Sequence, residues 1–350
     1  MQRAAELDAS DLHLKVGRPP ALRVWGELHC LDDLPPLSAE DLEAILFQVT
    51  NEEQRARFAA TSVLDVSCAP DGAAPFRVNV ARQRGTLTLA IRRLLAAIPP
   101  LDDLRLPSVC KELVMRPRGL ILVTGPAGSG RSTTLASMVE YLNERRAVRI
   151  VTCEDPIEYV FADKRAFITQ RELGRDTPSY ADAVRAALRQ DPDVILVGAL
   201  ADVDTIEAAL VAAETGHLVL SSLHTTGAAA TLDRLVDVFP EHKQQQIRVE
   251  LANVLEGILS QALLPTAAGQ GRVAAVEVLL GTAPVRNLIR EGKTQQIPGL
   301  IETSQRLGMR SMDQALLDLY RRGTVTFEEI LSRSANPERL QALSQGRMSA

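Results

Sequence analysis

A chain of 350 residues with 46% hydrophobic residues is long enough for about two domains with sizeable cores. A formal net charge of −5 argues against a general binder of nucleic acid or anionic membrane. Cys30, Cys68, Cys110 and Cys153 show no C-x-x-C spacing, which argues against a zinc site or disulfide framework and for reduced thiols in the cytoplasm. No apolar run approaches the roughly 18 residues of a membrane span, and the N-terminus does not read as a signal peptide.

Residues 1–95 predict a small α+β domain. Asp11-Leu12-His13-Leu14-Lys15-Val16 alternates like a half-buried strand, and Gly17-Arg18-Pro19-Pro20 turns it. Residues 21–28 predict a single second strand. Ser38 predicts a helix N-cap followed by acids in the first turn, and residues 51–60 repeat that logic. Residues 63–68, 76–82 and 86–92 predict strands that close the sheet. Arg77, Arg82, Arg84, Arg92 and Arg93 concentrate in this region. Arginines on a strand edge read either as a solvated face or as charge offered to a phosphate held by a neighbouring subunit. Residues 96–107, with Pro99, Pro100 and Pro107, read as a linker.

From residue 108 strands and helices alternate, which predicts a mostly parallel sheet covered on both faces. Gly119 and the apolar run Leu120-Ile121-Leu122-Val123 predict a buried strand. Gly125-Pro126-Ala127-Gly128-Ser129-Gly130-Arg131-Ser132 follows, and Thr133 continues into a helix to about Asn143. Strand, glycine loop and helix form the context of a phosphate-binding loop, where backbone N–H groups and the helix N-terminus face an anion. The pattern G-x-x-x-x-G-K-[ST] is met at every fixed position but one: Arg131 replaces the lysine. A glycine-rich turn without a ligand is the alternative. Residues 149–153 predict the next strand, ending in Glu154-Asp155-Pro156-Ile157-Glu158. Carboxylates at a strand's C-terminal end sit where ligands bind in open α/β sheets, though a polar loop with a helix cap would look alike. Residues 194–198 and 217–221 predict two more buried strands. His217 and His224 read as γ-phosphate or metal-water contacts, or as structural histidines. Beyond 240 the pattern is mainly helical: one long amphipathic helix over 240–264, a strand over 271–280, and helices from Thr282 and over 311–322 and 326–332. Residues 339–350 read as a tail.

With these motifs in place the chain resembles the secretion-ATPase superfamily, and specifically the type IV pilus retraction ATPases. The resemblance rests on Ala9-Ser10-Asp11-Leu12-His13-Leu14, Phe76-Arg77-Val78-Asn79, Val123-Thr124-Gly125-Pro126 and Glu154-Asp155-Pro156-Ile157-Glu158. It continues through Asp191-Pro192-Asp193-Val194-Ile195-Leu196-Val197-Gly198, Ala213-Glu214-Thr215-Gly216-His217, Leu223-His224-Thr225-Thr226 and Val236-Asp237-Val238-Phe239-Pro240. Arg286-Asn287-Leu288-Ile289-Arg290-Glu291 resembles the helix the family needs for retraction, although Pro284 replaces its usual alanine. The absence of a long N-terminal extension and of a tetracysteine insert favours retraction over pilus extension or type II secretion.

The resemblance implies an α/β fold: a PAS-like N-terminal α+β domain (1–95), a linker (96–107), a RecA-like P-loop ATPase core (108–280) and a C-terminal helical region (281–350). It implies a cytoplasmic hexameric ring, homomeric or mixed with an active homologue, that meets an inner-membrane pilus platform protein without entering lipid and without binding nucleic acid. ATP and Mg²⁺ are the implied cofactors. Gly125 to Thr133 would bind nucleotide, Ser132 would hold Mg²⁺, and Glu154 and Glu158 would serve catalysis, Glu158 by placing the attacking water. His217 and His224 would sense the γ-phosphate, Arg77, Arg84 and Arg92 would act as arginine fingers, and Arg286 to Glu291 would dock a partner.

The chain departs from the family pattern where chemistry is done. The family's strand ends in Gly-Glu, with Arg-Asp three and four residues after that glycine; here the segment is Gly198-Ala199-Leu200-Ala201-Asp202. Ala199 stands for the catalytic glutamate and Ala201 for the arginine. Losing a general base costs about 10²–10⁴-fold in rate, and an arginine in place of lysine misplaces charge at the phosphate. The sequence therefore predicts an ATP-binding ring subunit whose hydrolysis is weak or lost. An active retraction motor and a nucleotide-free structural adaptor are the alternatives.

Overall fold

The computed structural model describes residues 2–7, 9–24, 27–68, 76–93, 97–269, 271–334 and 336–344. The chain divides into two units, Met1–Ala97 with Pro156–Val160, and Ile98–Asp155 with Phe161–Ala350.

The first unit contains α1 (Gln2–Glu6), β1 (Asp11–Lys15), β2 (Ala21–Val24), β3 (Glu27–Cys30), α2 (Ala39–Val49), α3 (Glu52–Thr61), β4 (Val63–Cys68), β5 (Phe76–Gln83) and β6 (Thr86–Arg93). The strands form one antiparallel sheet in the order β3-β2-β1-β6-β5-β4. Reciprocal capping boxes start both longer helices: Ser38 with Asp41, and Asn51 with Gln54. Leu42 and Leu46 of α2 and Phe58 of α3 pack with Val78, Val80, Leu89 and Ile91 of the sheet. Residues 21–28 make two strands rather than one, since β2 and β3 pair antiparallel from Ala21↔Cys30 to Val24↔Glu27. Trp25 and Gly26 between them lie outside the described residues, as does Ala96 at the expected start of the linker.

The second unit begins with α4 (Val109–Val114), β7 (Gly119–Thr124), α5 (Arg131–Arg145), β8 (Arg149–Glu154), β9 (Phe167–Glu172), α6 (Tyr180–Ala187) and β10 (Val194–Val197). It continues with α7 (Val203–Glu214), β11 (Leu218–Leu223), α8 (Ala228–Asp237), α9 (Glu241–Val254), β12 (Leu255–Pro265) and β13 (Arg272–Leu280). Helices α10 (Ala283–Arg290), α11 (Ile297–Thr303), α12 (Met312–Arg321), α13 (Phe327–Arg333) and α14 (Pro337–Ser344) complete it. Its seven-stranded sheet runs β13-β12-β7-β11-β10-β8-β9, parallel throughout except for β13. Period-two alternation gives the central strands two buried faces. Leu120, Leu122, Ile195 and Val197 enter one core, and Ile121, Val123, Val194 and Leu196 enter the other. This explains the continuous apolar runs in the sequence.

Two expectations are corrected. The helix expected over 240–264 stops at Val254, and Leu255–Pro265 pairs in parallel with β7 and antiparallel with β13. Tertiary pairing overrides a local pattern that suits either state. The expected tail is in part helix α14, whose Leu340 and Leu343 are buried with Leu316 and Ile330; residues 345–350 lie outside the described residues. Helices α1, α4, α6, α7, α8 and α11 and strand β9 are additions to the elements predicted one by one.

Candidate phosphate site

The loop after β7 is shaped by backbone that only glycine adopts at ease. Gly125, Gly128 and Gly130 have φ of +145°, +76° and +90°. Gly125 also has no room for a side chain, because an added Cβ would run into the Gln261 carbonyl and lie 2.5 Å from Ser129 Oγ. Helix α5 then starts at Gly130 with no side-chain cap and no acidic residue in its first turn, an end whose dipole favours an anion. Ser129 is buried and its Oγ has no hydrogen-bond partner, which fits a loop built to close on a polar ligand. Ser132 and Thr133 follow on the first turn of α5, with Ser132 exposed where a phosphate-bound Mg²⁺ would need a hydroxyl.

Strand β12 backs the loop. Thr124 Oγ1 meets Ser260 Oγ at 2.9 Å, and Gln261 Nε2 donates to Thr134 Oγ1 at 2.9 Å. Leu263 packs over Gly130. Sequence reasoning missed Ser260 and Gln261; the signal was a polar pair inside the apolar run from Ile258 to Leu264.

The Arg131 guanidinium turns back onto the strand ends. Its Nη1 donates to Gly125 O and, at 3.3 Å, to Leu223 O, and its Nη2 lies 3.4 Å from His224 Nε2. Burial first, then the neighbouring Arg131 charge, hold the His224 imidazole below its ordinary pKa. The two histidines part company here. His217 precedes β11, its carbonyl takes the Gly119 N–H at the start of β7, and its Nδ1 lies 2.9 Å from Ala212 O. A strand of that length puts His217 about 20 Å from the loop. Within one subunit, therefore, His217 lies at the opposite end of β11 from the loop, whereas His224 lies beside it.

Strand β10 ends beside Glu154. Gly198 N–H donates to Cys153 O at 2.7 Å, and Gly198 O accepts from Ser222 Oγ at 2.6 Å. A Cβ at Gly198 would lie 2.9 Å from Tyr180 Oη, so glycine is required there by close approach. Ala199 follows with only a methyl group. The acids nearby in sequence are committed or remote. Asp202 caps α7 through Thr205, Asp193 accepts from Arg149 N at the opposite strand end, and Asp204 is exposed. Glu154 is 9% exposed, and its Oε1 accepts from Thr152 Oγ1 at 2.6 Å and Gln170 Nε2 at 3.2 Å. Glu154 belongs to the second unit, whereas Glu158 lies on Pro156–Val160, which groups with the first.

The arginine-finger candidates sit within the first unit. Arg77 pairs with Asp65 at 3.4 Å, Arg92 with Asp11 at 2.8 Å, and Arg84, at φ +49°, is exposed in the two-residue turn joining β5 to β6. The expected docking helix is α10, and its residues divide. Arg286 is a clamp: it donates to Gly281 O at 2.7 Å and Ala252 O at 2.8 Å, to Asn253 O, and pairs with Glu256 at 2.9 Å. Ile289 is buried, Arg290 reaches Asn253 Oδ1 at 3.2 Å, and Asn287 and Glu291 remain exposed, with Leu288 half-buried. Arg286 and Ile289 thus tie α10 to the rest of the unit.

A family model described as type II/IV secretion system protein matches residues 106–332. The type IV pilus retractation ATPase PilT of Pseudomonas aeruginosa is 43% identical over 335 residues, covering 96% of this chain and 97% of that protein. The type IV pilus ATPase PilU of the same organism is 38% identical over 337 residues, 96% of this chain and 88% of its own length. Among solved structures, that of the pilus retraction motor PilT with bound ADP superposes with a TM-score of 0.90 at 47% identity, covering 99% of this chain and 98% of that one. The Legionella pneumophila ATPase DotB gives 0.82 at 28% identity, over 99% and 94%.

Proposed function

The chain belongs to the type II/IV secretion system protein family, among its type IV pilus retraction ATPases, and we propose that it is an ATP-binding subunit of a pilus ring in which hydrolysis is weak or lost. One contrast carries this reading. The phosphate loop keeps its three positive-φ glycines and its open helix end, while β10 leads into Ala199, with Asp193 and Asp202 bonded elsewhere. Binding and chemistry are thereby separated on one scaffold.

In this reading the N–H groups of Gly128 to Ser132 bind the phosphates, and the Ser132 hydroxyl holds Mg²⁺. Bound ATP supplies a transferable phosphoryl group. Phosphoryl transfer depends on positioning and electrostatics. What the chain does not provide at residue 199 is a carboxylate to polarise water. The ring is a hexamer of this chain or a mixture with an active homologue, cytoplasmic and held at the inner membrane through a platform protein. Among the described residues no helix is long and apolar enough to cross a membrane.

The test is steady-state phosphate release and fluorescent ATP-analogue binding by the wild type and by an Ala199→Glu, Arg131→Lys double variant. Analogue binding with silent wild type, and turnover restored in the double variant, is the expected result. A motor-like wild-type rate that Glu158→Gln abolishes would identify a working motor instead. No analogue binding by either protein would make the chain an adaptor.

A further inference from the structure

The turn that carries His224 leads into a helix without a cap of its own. Helix α8 starts after Gly227, which sits at φ +91° and offers no side chain to the leading N–H groups. Strand β13 supplies the missing acceptor: Glu277 Oε1 accepts from Ala228 N at 2.8 Å. The same carboxylate accepts from Met312 N, the first residue of α12. One half-buried carboxyl group therefore serves two helix N-termini; burial, with the neighbouring Asp313 charge, pushes its pKa up, and the two N–H bonds and helix dipoles act against that rise. Opposite Glu277 in the β12–β13 ladder stands Ser260, whose hydroxyl meets Thr124, the residue before the phosphate loop. Across the turn, Thr225 Oγ1 meets Thr231 Oγ1 at 2.7 Å, closing it against α8.

We propose that Glu277 is a positioning residue of the phosphate site: by fastening the N-terminus of α8 to β13 and α12, it holds the Leu223–Gly227 turn so that His224 presents Nε2 to Arg131. Arg131 of α5 is the charged group that faces His224, and Asp313 of α12 the one that faces Glu277. Releasing the turn takes the imidazole out of its desolvated place beside a fixed cation, and its pKa returns toward the ordinary 6.5.

The experiment is an NMR titration of the histidine side chains in the full chain, with His224→Asn identifying the His224 signal. In wild type the His224 midpoint lies below 6.5. In Glu277→Ala it rises toward 6.5, and in Glu277→Gln, which keeps the volume and one acceptor, it rises by less in the same direction. Unchanged dispersion of the backbone amide spectrum away from this turn separates local repositioning from a general loss of stability. If the alanine variant does not fold, the glutamine variant decides. A His224 midpoint that stays at its wild-type value in a folded Glu277 variant overturns the proposal and leaves Glu277 as a stabilising cap alone.

Discussion

Substituting Gly125 by alanine asks whether the phosphate loop is held by its backbone or merely by its neighbours. Gly125 has φ +145°, and an added Cβ would strike the Gln261 carbonyl and Ser129 Oγ. The backbone oxygen belongs to β12 and cannot rotate away as a side chain could. Backbone strain costs about 2 kcal/mol, and forcing a methyl group against packed atoms costs about 2 more. The total of about 4 kcal/mol lowers the Tm of a unit of this size by about 12 °C. Gly128 is the internal control, since it also has positive φ, +76°, but nothing within 4 Å of its missing Cβ. Gly128→Ala therefore carries strain alone, about 1 kcal/mol or about 3 °C. Thermal unfolding of the two variants, followed by circular dichroism with ATP-analogue binding alongside, makes the comparison. Equal Tm values would refute the claim that β12 braces the loop through Gly125.

Arg286→Ala removes the clamp on the end of α9 and leaves Glu256 with Arg116 at 3.7 Å, so a loss of about 2 kcal/mol in urea unfolding is expected, whereas Asn287→Ala, exposed on the same helix, changes stability by less than about 0.5 kcal/mol. Leu340→Ala opens a cavity under α14 and costs about 3 kcal/mol by the same measurement; wild-type stability would show that residues 337–344 are a tail after all. The depressed pKa of His224 means that its neutral form is favoured by folding, so its contribution to stability is present above about 6.5 and is lost as pH falls from there through the folded value. His224→Asn flattens that part of the pH–stability curve, and an unchanged slope below about pH 6.5 would contradict the placement of His224 in a desolvated position beside Arg131.

The glycine loop, the two-sided apolar strands and the capped helices were legible because each is set by local chemistry. Ser38 and Asn51 cap helices by their own side chains, and Leu120 to Val123 alternate between two cores without a polar break. What escaped was fixed by distant partners. Leu255–Pro265 reads equally as helix or buried strand until β7 and β13 flank it, and Gly257, packed against Leu113, is its one local mark. Strand β9 (Phe167–Glu172) is half polar because it lies at a sheet edge, so it lacks the apolar run of its neighbours. Helix α6 was legible and overlooked, since Ser179 and Asp182 give its cap in plain sequence. Spacing named both histidines as site residues, but only topology shows that His217 and His224 stand at opposite ends of the same strand.

Arg131 and Ala199, which depart from the pattern the sequence resembles, lie outside both apolar cores, Arg131 at the start of α5 with its guanidinium on Gly125 O and Leu223 O, and Ala199 just past the end of β10. Gly125 and Gly198, by contrast, are each required by a close approach, from Gln261 and Ser129 in one case and Tyr180 and Cys153 in the other. A sequence can therefore change the groups that polarise water without moving the backbone that binds phosphate. The polar scaffold beneath the loop supports the same view, because Thr124–Ser260, Gln261–Thr134 and Ser222–Gly198 are bonded to one another and involve neither altered residue. If turnover is lost, as proposed, the loop that would bind phosphate is still in place, which is why restoring two side chains, rather than rebuilding a site, is the informative experiment.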